Sequence, residues 1–196
     1  MSGSGTTRTP PGASAPVPGS DGAPRDARAG AASPDASPSV RTAVDGDADD
    51  LVALVGSCFS EYEGCVLDTE HEMPHLLRVA THYAAVGGCA WVAVAGGSVV
   101  GSVACRPAQD AAGLELQMLY VLARWRRRGL GSRLVAVVEG ETRRRGRNVV
   151  ELWSDTRFAD AHRLYRSRGY EQRPEVRELH DLSATREYRF TKSFPA

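Results

Sequence analysis

The stretch Leu119-Tyr120-Val121-Leu122-Ala123-Arg124-Trp125-Arg126-Arg127-Arg128-Gly129-Leu130-Gly131-Ser132 is where residue type and spacing point most directly to chemistry. An apolar strand runs into arginines and glycines that open a helix. Backbone N–H groups at a helix start lack intrahelical partners, and with the helix dipole they form an anion site. Gly129 and Gly131 let the main chain approach a pyrophosphate without side-chain interference, while Arg126, Arg127 and Arg128 add positive charge. No Gly-Lys-Ser/Thr follows, so this is not a Walker A loop. A dinucleotide fingerprint needs a third glycine where Arg133 or Leu134 stands. At this level a plain strand–turn–helix junction is the alternative.

Glu115 is a candidate base. Along an extended strand it shares a face with Gln117, Leu119 and Val121. A carboxylate in a partly desolvated strand has its pKa raised, which suits proton abstraction; an ordinary solvated glutamate is the other reading. The histidines form no metal spacing: His71 and His75 are four apart, but Pro74 interrupts them and no third ligand is evident. Cys58, Cys65, Cys89 and Cys105 form no CxxC or Cys/His pattern. No metal is expected, and free thiols in a reducing cytosol imply a cytoplasmic protein.

The elements that must position these residues follow from periodicity. Val40 to Val44 can be a short strand, and Asp45, Asp47 and Asp49 offer caps for a helix carrying Leu51, Val52, Leu54, Val55 and Phe59. Glu61 to Glu72 reads as an acidic loop. Pro74 suits the first turn of a second helix that Gly87-Gly88 stops. Cys89 to Ala95 and Ser98 to Arg106 flank the hairpin turn Gly96-Gly97, and Leu114 to Val121 is a third strand. Gly129 to Arg145 is a helix stopped by Gly146. Then come a strand over Val149 to Trp153, a helix over Asp160 to Arg168, and strands over Val176 to Leu182 and Glu187 to Phe194. Helices between strands argue a single α+β sheet domain.

The 196 residues suffice for one domain with a real core plus an extension. Formal net charge is zero, so no global field points to nucleic acid or a membrane. No apolar run is long enough to cross a bilayer, and no apolar segment behind basic residues marks a secretory signal. Residues 1–39 are rich in Pro, Gly, Ala, Ser and Thr, with Val17 the one aliphatic residue larger than alanine after Met1. Such a segment cannot bury enough apolar area to offset its ordering entropy, so a disordered tail is expected ahead of a domain over residues 40–196. A transit peptide fits the Ser, Ala and Arg content but not Asp21, Asp26 and Asp35.

Arg126-x-x-Gly129-x-Gly131 resembles the Q/R-x-x-G-x-G/A signature of the GNAT acyltransferases, and Val121 matches the hydrophobic residue five positions before it. Ala161-x-x-Leu164-Tyr165-x-x-x-Gly169-Tyr170 is similar to that family's A-x-x-L-Y-x-x-x-G-F/Y helix. The resemblance spans about Val40 to Phe194. Phe158 departs from it by standing where many members have asparagine, and Arg127 replaces a common glycine. The resemblance implies a central, mixed, mostly antiparallel sheet of six to seven strands flanked by about four helices. It implies N-acetyl transfer from acetyl-CoA to a primary amine of a small molecule or peptide, by direct attack in a ternary complex. Main chain of Arg126, Arg127, Arg128, Gly129, Leu130, Gly131 and Ser132 would bind the pyrophosphate. Leu119, Tyr120 and Val121 would pair with pantetheine and polarise the carbonyl. Tyr165 would be the acid toward the CoA sulfur, its alternative being a core aromatic, and Glu115 matches the base of the histone-acetylating branch. Water chains are the alternative to Glu115. A homodimer is compatible with the resemblance.

On the acceptor side, Glu61 and Tyr62 fall with Glu63, Asp68, Glu70 and Glu72 where the first two helices of this family border the acceptor cleft. Acidic residues there would favour a cationic amine; a solvated acidic loop is the alternative. Two rival classes compete with the enzyme. The clusters Arg126 to Arg128 and Arg143 to Arg147 could contact nucleic acid, but net charge is neutral and no nucleic-acid motif accompanies them. A non-catalytic acyl-CoA sensor of the same fold would bind the thioester without turnover.

Overall fold

The computed structural model describes residues 37–109 and 113–195. The disordered tail expected over residues 1–39 lies outside the described residues apart from its last three positions. The first strand begins one residue earlier than expected.

Seven strands form one sheet in the order β1-β2-β3-β4-β5-β7-β6. They are β1 (Ser39–Thr42), β2 (Cys89–Ala95), β3 (Ser98–Pro107), β4 (Gly113–Val121), β5 (Val149–Asp155), β6 (Glu171–Glu178) and β7 (Arg186–Ser193). Among the described residues only the β4–β5 pair is parallel; the others are antiparallel. Among the described residues four α-helices accompany the sheet: α1 (Ala48–Phe59), α2 (Val79–Ala85), α3 (Leu130–Arg144) and α4 (Ala159–Ser167). This is the α+β architecture expected.

The sheet carries a core on each face because its strands alternate. Leu51, Leu54 and Val55 of α1 and Val79 and Tyr83 of α2 bury against Val92, Val99 and Ala104. Leu134, Val135 and Val138 of α3 and Tyr165 of α4 bury against Val100, Val103, Leu114, Leu116, Leu152 and Phe190. Each fully buried aliphatic side chain contributes about 1.5–3 kcal/mol of transfer free energy, so the helices are held by the faces they present and not by propensity. Among the described residues no helix is long and apolar enough to cross a membrane.

Periodicity places most elements within a residue or two, and β6 is the exception. It was expected over Val176 to Leu182 and runs instead over Glu171–Glu178. All its residues but one are exposed, so no inward-facing apolar pattern marks it. As the outer strand it also accommodates Pro174, which a central strand would not.

Candidate active site

The site forms where two adjacent strands part. β4 and β5 pair from Gly113 opposite Val149 to Leu116 opposite Leu152 and no further. Beyond that point β4 continues to Val121 and β5 to Asp155, each held by its other neighbour alone. The β5-facing edge of residues 117–121 therefore carries no strand ladder. A bulge sits in the same place. Ala104 pairs with Gln117 and Ser102 with Tyr120, so Met118 and Leu119 oppose the single residue Val103. Met118 takes a left-handed φ of 54°, and its carbonyl accepts a hydrogen bond from Ser102 Oγ at 2.8 Å.

The bulge corrects the expected geometry of Glu115. In an unbroken strand Glu115 would face the same way as Leu119 and Val121. Here Leu119 and Val121 pack with the α3 core, whereas Met118 and Tyr120 pack with the α1–α2 core. Gln117 is reached by Tyr83 Oη of α2 (3.1 Å), which places Gln117 and Glu115 on the face opposite Leu119. Glu115 is 4% exposed. Its carboxylate accepts from Arg106 Nε (2.9 Å) and from Gln117 Nε2 (3.0 Å). It lines neither of the cavities described below. The physical reason is cross-strand pairing: Arg106 stands directly opposite Glu115 in the β3–β4 register.

The arginine–glycine loop follows β4 through a 3-10 turn, Ala123–Trp125, and enters α3 at Gly129, whose φ is 80°. No side chain caps this end, and the first helical bond is Arg133 N–H to Gly129 O (3.0 Å). The N–H groups of Leu130, Gly131 and Ser132 thus have no partner among the described residues, as an anion site requires. The two glycines have different reasons. Gly129 is needed for its backbone conformation, since a Cβ there would meet open space. A Cβ on Gly131 would come to 3.0 Å from Leu164 Cδ2, so that glycine lets α3 approach α4 closely.

The arginines divide their tasks in a way their spacing did not reveal. Arg126 Nε donates to Val121 O (2.8 Å), and its two terminal nitrogens donate to Glu61 at 2.5 and 2.7 Å. This ties the loop to the end of α1 and holds the Arg126 pKa above its ordinary value, the Glu61 hydrogen bonds being the main cause. Arg127 reaches Asp160 at 3.2 Å, and Asp160 also pairs with Arg163. Arg128 lies over the Trp125 ring at 5.5 Å.

Two cavities flank the parted strands. The first, of about 400 Å³, is lined by Leu119, Tyr120, Val121, Arg126, Arg127, Gly129, Gly131 and Ser132, with Phe158, Asp160, Ala161, Arg163 and Leu164 opposite. The second, of about 350 Å³, is lined by Gln117, Met118, Leu119, Tyr120, Tyr165 and a set of carboxylates taken up below. Leu119, Tyr120, Phe158 and Ala161 line both cavities, so the two meet at the gap between β4 and β5. Tyr165 is 4% exposed and packs on Tyr170 (5.8 Å) and Phe190 (5.6 Å), and burial is the one influence that acts on its hydroxyl. Burial raises its pKa, so the phenol holds its proton through neutral pH.

Glu61 and Tyr62, expected at the acceptor cleft, are placed differently. Tyr62 lines the first cavity, and Glu61 is taken by Arg126 beside it. Phe158 stands at the junction, its ring 4.8 Å from Tyr62 and 6.3 Å from Phe59. Among the described residues no group of three or more His, Cys, Asp or Glu is placed to hold a metal ion.

Comparison with known proteins agrees with this geometry. Residues 86–172, from just before β2 into β6, match the model of the acetyltransferase (GNAT) domain. A segment of 58 residues is 41% identical to the aminoalkylphosphonate N-acetyltransferase of Salmonella typhimurium, covering 30% of this chain and 38% of that protein. A GNAT-family acetyltransferase of Staphylococcus aureus shares the fold at 16% identity and a TM-score of 0.66, over 78% of this chain and 97% of that one. The ribosomal-protein-alanine N-acetyltransferase of Brucella melitensis does so at 22% and 0.62, over 80% and 99%. The yncA structure of Salmonella typhimurium, solved with its cofactor acetyl-CoA, does so at 17% and 0.64, over 82% and 95%. Over residues 86–172 the chain thus resembles the acetyltransferase (GNAT) domain, and the fold that carries the uncapped α3 start and the parted β4 and β5 is the fold of solved GNAT-family acetyltransferases.

Proposed function

We propose that this domain transfers an acetyl group from acetyl-CoA to a primary amine of a small molecule or peptide, by direct attack in a ternary complex. One observation carries the reading: the cavity at the uncapped start of α3 and the cavity holding Tyr165 meet at the gap between β4 and β5. The residues present fit the thioester. The unpartnered amides of Leu130, Gly131 and Ser132 suit its pyrophosphate. The open edge of residues 117–121 suits an arm that pairs as an added strand.

Transfer forms a carbon–nitrogen bond and breaks the carbon–sulfur bond. Tyr165 Oη gives its proton to the departing sulfur and regains one from solvent. The proton lost by the amine needs an acceptor, and Glu115 is committed to Arg106. Glu187 of β7 lines the acceptor cavity instead, and its pKa is raised, by desolvation above all, against the pull of Arg177 Nε at 2.5 Å. We assign the proton to Glu187.

A screen for thiol release from acetyl-CoA across an amine library tests the reading. Release with at least one amine is expected. Tight acetyl-CoA binding with no release across the library would favour a sensor.

A further inference from the structure

Among the described residues four carboxylates line the acceptor cavity, Glu72, Asp155, Asp181 and Glu187, and no Arg, Lys or His does. Two of the four are matched from outside the cavity. Arg157 Nη2 lies 2.6 Å from Asp155, and Arg177 Nε lies 2.5 Å from Glu187. Glu72 and Asp181 have backbone partners and no ion pair among the described residues: Leu182 N–H donates to Glu72 (2.6 Å) and Thr185 N–H to Asp181 (2.8 Å).

These two carboxylates sit on segments that are fastened to each other. Glu72 belongs to the loop between α1 and α2, and Asp181 to the turn between β6 and β7. The Leu182–Glu72 bond joins them, as does Val66 N–H to Ser183 Oγ at 2.9 Å, with Ser183 itself buried. The pair of negative charges therefore stands on a built wall of the cavity and not on a free loop. Tyr165, a residue 4% exposed on whose hydroxyl no hydrogen bond or charge acts besides burial, lines the same cavity and marks where the reacting end of a ligand lies.

We propose that the acceptor is a small molecule carrying a second ammonium group besides the amine that is acetylated, and that Glu72 and Asp181 hold this second charge. An anionic acceptor, such as the aminoalkylphosphonate named for the Salmonella relative, would meet two carboxylates that form no ion pair, the nearby Arg157 being committed to Asp155 and to the 183–185 turn. Like-charge contact in a partly desolvated site opposes binding. The inference rests on the acetyl-transfer reading above and adds the chemical class of the acceptor.

Putrescine, n-butylamine and aminoethylphosphonate separate the possibilities, with acetyl-CoA binding measured by calorimetry on the same 196-residue protein. Putrescine should exceed both others in kcat/KM by about tenfold or more, the worth of one good ionic contact. Glu72→Gln and Asp181→Asn keep the acceptor oxygens for Leu182 and Thr185. Each should lower kcat/KM for putrescine about tenfold while leaving n-butylamine and the melting temperature unchanged. Acetyl-CoA binding without a preference for putrescine, or a preference unmoved by either variant, overturns this inference alone. Failure to bind acetyl-CoA overturns the acetyl-transfer reading beneath it.

Discussion

Tyr165→Phe separates a proton donor from a packing residue. Burial alone shifts the hydroxyl, with no hydrogen bond or charge acting on it, so its removal leaves no orphaned donor or acceptor, and the ring keeps its contacts with Tyr170 and Phe190. Stability should move by no more than about 0.5 kcal/mol. Tyr165 lines the second cavity and not the first, so acetyl-CoA affinity should also hold. Turnover is another matter. Losing a positioned general acid costs about 100- to 10,000-fold, or about 3–5 kcal/mol of transition-state stabilisation. Burial holds the phenol pKa above its ordinary value, so Tyr165 is protonated throughout the neutral range. The variant should therefore scale the pH–rate profile down without moving its acidic limb. Thiol release, calorimetry with acetyl-CoA and a thermal melt on one preparation decide it. A rate within threefold of the parent refutes the proton-donor role, and joint loss of rate, binding and stability shows a structural one.

Glu187→Gln should lower kcat/KM and abolish its acidic limb. A raised carboxylate pKa means that the base is lost by protonation as pH falls through a value above the ordinary carboxylate range; an unchanged pH profile would exclude Glu187. Glu115→Gln should leave turnover within a few-fold and cost about 1–2 kcal/mol in urea melts. It removes one partner of a pair whose other member, Arg106, is partly solvated. A hundredfold loss of turnover would restore Glu115 as the base. Gly131→Val should cost about 1–3 kcal/mol by overpacking against Leu164 and should weaken acetyl-CoA binding by parting α3 from α4. A stability equal to the parent would show that the helices do not need this close approach.

The parts legible in the sequence are those set by local physics. The Gly96-Gly97 turn, the α3 periodicity and the α4 pattern around Ala161, Leu164 and Tyr165 all depend on neighbours within a few residues. The features that were not legible depend on distant ones. The bulge at Met118 carries no glycine to announce it and reverses the facing of Glu115 relative to Leu119. Glu61 and Arg126 are 65 residues apart and meet only because α1 ends beside the loop after β4. Asp155, Asp181 and Glu187 come from β5, a turn and β7, with Glu72 from a loop before all of them, and no spacing links the four. The glycine pair was read as two answers to one need, whereas Gly129 answers a backbone angle and Gly131 a helix contact.

The proposed acetyl transfer depends on the amides at the start of α3, and backbone amide NMR during titration with acetyl-CoA addresses them directly. Saturable shifts should be largest for Arg127 to Ser132, at the uncapped helix start, and for residues 117–121, whose β5-facing edge carries no strand ladder. Shifts confined to other segments, or none at millimolar acetyl-CoA, would contradict a thioester held at this helix end.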